Sequence, residues 1–478
     1  MVVLLSLLCA LIAVQAQIYD THATDVQLFP RNGETDVNPD TQLRLTFPSP
    51  PSIGTSGLIR VYDVSSDDLV DSLNLSIPIS PSPYGNGSTK ANYTDKTKYQ
   101  TNIIGGMDFY FFPIIVRNNT ATIYLHNNRL EYNKTYSIAI DPKVLALSDS
   151  NTTFTSFSLN TSSWTFTTKP SGPASDTTTV TVSSDGKADF TTLQGALDWA
   201  PSNPSTRTTI LVHPGTYEEL VFFQYKSNLL IRSTSTSTEP GVKIGYPNNS
   251  AFNPPNRPGP SRRPAFSFRG GSDIQLSGLR MQNYYRGQAE ALLVDGVRVV
   301  LDRLWLNGSG DALTTYGSVY ITETTLFGDG DTILGYASAY WTNSTIITTA
   351  GPVSWTRTSQ GSHGNVLVDC TIRSLQGNST FARLPDNSGG VLDNWPYAEM
   401  VLVNTRTEGI APVGWGPVQG PPFDSRHVRF WEYGTMDLEG KPADYRERLG
   451  LSRQLEEVPQ EYLDPKWVLG GWDPVVVT

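Results

Sequence analysis

The sequence predicts an all-β protein, a right-handed parallel β-helix preceded by an antiparallel β-sandwich. Three observations lead there. Apolar residues recur every 20 to 26 positions through the centre of the chain. The first third instead alternates apolar and polar residues with period two. Charged residues make up only 17% of the chain, against 40 glycines and 33 prolines, a balance that suits strands and turns better than helices rich in Glu, Lys and Arg.

The repeat is the stronger signal. Leu301, Ile321 and Trp341 are 20 apart, as are Leu306, Leu326 and Ile346. Leu276 and Met281 precede the first pair by 25, and Leu367 and Ile372 follow the last by 26. Val401 to Asn404 reads as a further turn after an insertion. Short strands at this period, without helical periodicity, describe a chain coiled on itself, each coil burying its apolar residues against the next at about 4.8 Å. Leucine-rich repeats share the period, but their Asn/Leu consensus is absent.

Ahead of the repeat, Met1 to Ala16 reads as a signal peptide: an apolar run, Val2 to Val14, ends in Val-Gln-Ala before Gln17. The run is too short to span a bilayer, and no later stretch is long and apolar enough. From Gln17 to Lys169, alternating runs (Gln42–Phe47, Leu58–Tyr62, Ala121–Leu125, Thr135–Ile140, Ser163–Thr167) with turn residues between them predict the sandwich. The wording LFPRNGETDVNPDTQLRLTF from Leu28, and WTFTTKP at Trp164, resembles bacterial Ig-like domains. This segment shows no catalytic constellation, which leaves it the role of a spacer, chaperone or binding module. A Pro/Gly/Ser linker over 170–177 leads into the repeat domain, 178–478.

Composition narrows the function. Net charge is −10, without basic runs, which excludes a nucleic-acid binder that must neutralise phosphates. Of two cysteines, Cys9 lies in the signal, so Cys370 is alone, no internal disulfide forms, and a small buried hydrophobe is the expected role. No Cys/His cluster has metal-ligand spacing. Eleven Asn-x-Ser/Thr sequons, with the signal peptide, predict a secreted, extracellular glycoprotein. Ten are candidate glycosylation sites: Asn74, Asn86, Asn92, Asn118, Asn133, Asn151, Asn160, Asn248, Asn343 and Asn378. A glycan on the eleventh, Asn307, would crowd Asp311. The expected state is monomeric, with no nucleic-acid or membrane partner.

Stacking also arranges polar residues. Gln288, Asp311, Asp331, Arg357 and Arg383 are separated by 23, 20, 26 and 26 residues, each about one coil, which predicts a polar ladder on one face. Two carboxylates that close cannot both ionise cheaply, so one becomes an acid beside a carboxylate, and a neighbouring Arg orients the latter. Such a pair serves nucleophilic and acid–base chemistry. A solvated Asp ladder or a calcium site would show the same spacing.

From about Thr179 to Leu455 the chain resembles the pectin methylesterases, aspartyl esterases of carbohydrate esterase family eight. DFTTLQGALDWAP at Asp189, HPGTYEELV at His213, GQAEAL at Gly287, the segment from Gly308 to Ile346 holding GSGDAL and GDGDTI, GIAPVGW at Gly409, and RFWEY followed by SRQL carry the likeness. The resemblance implies that Asp331 is the nucleophile on the C6 methyl ester, that Asp311 is the acid–base, that Gln288 helps hold the oxyanion and that Arg383 binds Asp331. It implies pectin, a methylated homogalacturonan, as substrate and no cofactor or metal. Tyr285, Tyr336 and Trp415 could supply platforms for sugar rings, with Tyr284 beside them, and Arg357 could brace the face of Asp331. Ordinary packing is the competing role for each.

Three departures stand out. The family's second Gln, directly before the acid–base Asp, is Gly310 here, and losing an oxyanion donor costs on the order of 100-fold or more in turnover. The Gly-Arg-Pro-Trp segment is Ala382-Arg383-Leu384-Pro385, without its Trp, although Trp395 lies downstream. The aromatics that flank the nucleophile are Thr332 and Leu334. These departures keep alive a catalytically impaired, wall-binding protein. A calcium-dependent pectate lyase on the same fold is a third reading, for which only Asp329 and Asp331 offer ligands.

Overall fold

The computed structural model describes residues 26–80, 98–148, 154–235, 237, 241–249, 252, 261–384, 395–418 and 424–478. The expected signal peptide and the sequons Asn86, Asn92 and Asn151 lie outside the described residues. The chain divides into two compact units. One runs to Ile79 and takes in Tyr110–Gly172; the other holds Pro173–Thr478 together with Ile103–Phe109, a stretch the sequence reading placed in the first domain.

The first unit is a β-sandwich. A four-stranded antiparallel sheet contains Leu43–Thr46 between Gln27–Phe29 and Thr120–Ile123. A seven-stranded sheet centres on the long strand Thr135–Ser148, which pairs antiparallel with Leu58–Asp63. Period two explains the burial of Leu43, Leu45, Ile59 and Val61, whose neighbours Arg44, Thr46, Arg60 and Tyr62 are only half-buried; in the central strand Ile138 and Ile140 are buried together with Ser137 and Ala139. Trp164 is buried too, its indole N–H donating to the Pro30 carbonyl at 2.8 Å.

The second unit is the parallel β-helix. Register follows the repeat residue by residue: Leu276, Leu301, Ile321, Trp341 and Leu367 stack on successive coils, and Leu402 continues the row. On a second face Met281, Leu306, Leu326, Ile346 and Ile372 do the same. Both rows point inward and are fully buried. The corner between these faces is turned by one residue in the left-handed region on each coil: Gly278, Arg303, Glu323, Asn343, Asp369, Asn404 and Gly434, with φ between 49° and 66°. Cys370, just after one such corner, is buried, and burial pushes its thiol up to about 12, so it packs as a hydrophobe.

A short helix, Leu193–Trp199, covers the first coil with Leu193, Ala196 and Leu197. Thr192 caps it, accepting from the Gly195 N–H at 3.0 Å, and the Glu219 carboxylate accepts the N–H groups of Leu193 and Gln194 at 2.8 and 2.9 Å. The segments at Asp189 and His213 therefore meet as a structural cap. No helix among the described residues is long and apolar enough to cross a membrane.

Candidate active site

The third face of the β-helix carries the site. Leu292, Leu313, Ile333, Ser354 and Ala382 stack in parallel register on five coils. Asp311 and Asp331 each sit two residues before a member of this row, which makes them equivalent positions on adjacent coils. Each follows a glycine, and both members of each Gly-Asp pair are left-handed: φ is 53° and 56° at Gly310 and Asp311, and 77° and 42° at Gly330 and Asp331. Glycine takes that region freely, and Asp tolerates it better than most residues.

Asp331 is accessible and clamped. Arg383 Nε donates to its Oδ1 at 2.7 Å and Nη2 to its Oδ2 at 2.6 Å, a bidentate pair that fixes both oxygens. Arg383 comes from two coils away, one residue beyond Ala382, in the outward row Leu334, Trp355, Arg383. Its guanidinium lies 4.1 Å from the centre of the Trp355 ring, and that of Arg357 lies 3.4 Å from the same ring.

Asp311 has the opposite environment. It is buried, with Arg263 Nη2 at 3.1 Å from its Oδ2. Burial raises its pKa, and the Asp331 carboxylate pushes the same way; Arg263, Arg357 and Arg383 pull down without cancelling the rise. One carboxyl group is thus inclined to keep its proton while the other stays partly exposed beside its arginine.

The rest of the expected ladder is distributed differently. Gln288 is exposed and lies four residues before Leu292, so the position stacked on Asp311 belongs to Glu290. Arg357 lies three residues beyond Ser354 and Arg383 one beyond Ala382, so neither shares the Asp register, although both reach the Asp pair. Tyr336 is on the site face, stacked on Tyr316 at 4.6 Å and edge-on to Trp395 at 6.1 Å. Trp395 therefore does stand at the site. Tyr285 is half-buried on the loop before Gln288.

Two expectations are overturned. Trp415 is no sugar platform: it is 1% exposed, stacks on Phe430 at 4.7 Å, and its indole N–H donates to Glu432 at 2.8 Å. Asn248 is no glycan acceptor in the folded chain: it is 1% exposed, and its Nδ2 donates to the carbonyls of Arg262 and Pro264. Asn118, Asn133, Asn160, Asn343 and Asn378 are exposed, and Asn74 and Asn307 are half-buried. Sequence reasoning missed Arg263, Glu290, Tyr316 and Trp355. Tyr316 could have been found from its place 20 residues before Tyr336, and Glu290 from its place two before Leu292.

Gly310 has a structural counterpart. A Cβ there would stand 2.9 Å from the Gly287 carbonyl oxygen, at a left-handed φ. The Gly287 carbonyl, on the loop before Gln288, occupies the space a side chain would need. Gly310→Gln is therefore expected to lower the melting temperature by several degrees and to leave kcat no higher than wild type, measured by thermal unfolding and ester hydrolysis.

A parallel β-helix that sets a buried carboxyl group and an arginine-clamped carboxylate on neighbouring coils holds the groups a nucleophile-plus-acid hydrolase needs. Residues 179–449 match the family model for pectinesterase. The chain belongs to the pectinesterase family and is an ester hydrolase. Solved structures agree on the fold. One of a pectin methylesterase in complex with hexasaccharide VII is 20% identical, covering 62% of this chain and 98% of that one, with a TM-score of 0.50. Pectin methylesterase PemA from Erwinia chrysanthemi is 21% identical over the same shares, also at 0.50. Among the described residues, no group of three or more His, Cys, Asp or Glu side chains is placed to hold a metal ion.

Proposed function

We propose that this chain demethylates the C6 methyl esters of homogalacturonan through an acyl-enzyme on Asp331. The observation that carries this reading is the contrast between the two carboxyl groups: Asp331 accessible and bidentate to Arg383, Asp311 buried with a raised pKa. Asp331 attacks the ester carbonyl carbon, and the carbon–oxygen bond to methoxide breaks as Asp311 gives that oxygen its proton. Methanol leaves. Asp311, now a carboxylate, takes a proton from water, which attacks the acyl carbon and frees Asp331 and the galacturonate carboxyl group. Gln288, on the exposed loop, donates to the oxyanion, and Arg383 keeps the Asp331 oxygens aimed. Tyr336, with Tyr316 and Trp395, offers an aromatic surface to the sugar rings, and Tyr285 stands on the loop that carries Gln288.

The same reading covers the rest of the chain: a secreted, glycosylated monomer whose N-terminal sandwich is an Ig-like module. Exposure at five described sequons supports the glycosylation. The test is product stoichiometry. With highly methylated pectin and a chelator present, methanol and new carboxylate should appear in equal amounts, with no unsaturated, ultraviolet-absorbing product, and Asp311→Asn should lower kcat by about 100-fold or more. Unsaturated product would instead favour a lyase.

A further inference from the structure

A third carboxylate lies against the pair. Glu290 has no exposed surface. Its Oε1 accepts from Arg263 Nε at 2.6 Å and from the Thr314 hydroxyl at 3.3 Å, while its Oε2 is buried without a hydrogen-bond partner. Arg263 is the same guanidinium that reaches Asp311 at 3.1 Å. Both partners are pinned by Asn283, whose Nδ2 donates to the carbonyls of Arg263 and Glu290 at 3.1 and 3.0 Å. The Asn283 Oδ1 in turn accepts the N–H groups of Asn248 and Tyr285, each at 3.1 Å. A buried ion pair is poor value for stability alone, because apolar residues of similar size commonly serve as well. Here it ends on the acid–base group.

We propose that Glu290 and Arg263 are positioning residues for Asp311: they hold its carboxyl group in place and, by dividing one guanidinium between two carboxylates, govern when it gives up its proton. The proposal rests on the reading of Asp311 as the acid–base group. The charges involved are few. Asp311 faces Arg263, Asp331, Arg357 and Arg383; Arg263 faces Glu290, Asp311 and Tyr316; Glu290 faces Arg263 and Asp311. Burial pushes Glu290 up to about 7, with Arg263 pulling down and Asp311 pushing up. As Glu290 ionises near neutral pH it claims more of the Arg263 charge, and it adds a negative charge beside Asp311. Asp311 therefore stays protonated, and able to donate, to higher pH than it would beside a neutral neighbour.

The test is the pH profile of kcat for methanol release from methylated pectin by the full chain. Glu290→Gln keeps the shape of the side chain and removes its charge, so Arg263 serves Asp311 alone. The basic limb should move to lower pH by about one unit, with KM unchanged. Arg263→Lys keeps a charge that cannot span both carboxylates. Its basic limb should move to higher pH, with a lower kcat. If both variants fold, by unchanged melting and circular dichroism, and lose rate without moving the limb, the pair is structural and the proposal is overturned. Should Glu290→Gln fail to fold, Arg263→Lys decides alone. Asp311→Asn separates the layers. Wild-type turnover in that variant would sink the acid–base reading itself. An inactive Asp311→Asn beside an unmoved limb in Glu290→Gln and Arg263→Lys would sink only the present inference.

Discussion

Asp331→Asn is expected to reduce methanol release by about 10⁴-fold or more, with melting within a few degrees of wild type. Loss of a covalent nucleophile commonly costs this much, because the remaining groups can only assist direct attack by water. Asparagine keeps the size of the side chain and can still accept a hydrogen bond from Arg383. The guanidinium keeps its contact with Trp355 at 4.1 Å, so the clamp does not collapse. The side chains of Asp331 and Arg383 are 23% and 20% exposed, so the broken ion pair is partly hydrated and its loss costs only about 1 kcal/mol. Rate and stability should therefore separate in this variant. Residual activity near wild type would remove Asp331 from the chemistry.

A second large effect is expected on stability, at a residue outside the Asp pair. Glu399 begins a strand of the long sheet and is fully buried. Its Oε1 accepts from His363 Nδ1 at 2.9 Å and from the Gly364 N–H at 3.1 Å; its Oε2 accepts from the Tyr462 hydroxyl at 2.9 Å and from Arg429 Nε, the residue paired with it on the next coil. Tyr462 belongs to the C-terminal tail, which packs Tyr462, Val468 and Leu469 against Tyr340, Val366, Val401 and Val403. Glu399→Ala strands four donors and leaves Arg429 without its partner, for an expected loss of about 3–5 kcal/mol. Thermal or denaturant unfolding measures it. The pH dependence has a definite sign. Burial raises the Glu399 pKa, but the hydrogen bond from His363 and the charge of Arg429 outweigh it, and the net shift is downward from 4.5. Its contribution is therefore present above the ordinary glutamate pKa and is lost as pH falls through the lower folded value. Wild type should lose stability below about pH 4.5, and Glu399→Ala should lose less over the same range.

Much of this molecule was legible in the sequence for one physical reason: a coil buries the same positions on every turn. Leu301, Ile321 and Trp341 had to be apolar and had to align, so their spacing set the register, and with it the adjacency of Asp311 and Asp331. Where coil length varies, spacing lost its meaning. On the site face Ile333 is followed by Ser354 after only 21 residues, so counting 26 overshot, and it placed Arg357 and Arg383 in the Asp row when their backbones belong elsewhere. Gln288 failed for a related reason: it lies 23 residues before Asp311, whereas Leu292 and its partner Leu313 are 21 apart, which puts Glu290 over Asp311. Burial is a tertiary property, so neither the core position of Trp415 nor that of the sequon at Asn248 could be read from neighbouring residues. Trp355 gave no local signal either. Its role comes from two guanidiniums that arrive from residues 357 and 383, one of them from another coil. The Gly310 departure was visible but not its cause, since only the fold shows the Gly287 carbonyl where a side chain would have to go.

The measurement that bears most directly on the central claim is methanol release by the purified wild-type protein from highly methylated pectin, in chelator, across a range of pH. Sustained release, with the pectin backbone intact, is the predicted result, and it would show that one oxyanion glutamine, Gln288, suffices beside Gly310. No methanol from a well-folded protein, at any pH and with pectins of differing methylation, would contradict the account and leave a wall-binding protein built on an esterase frame.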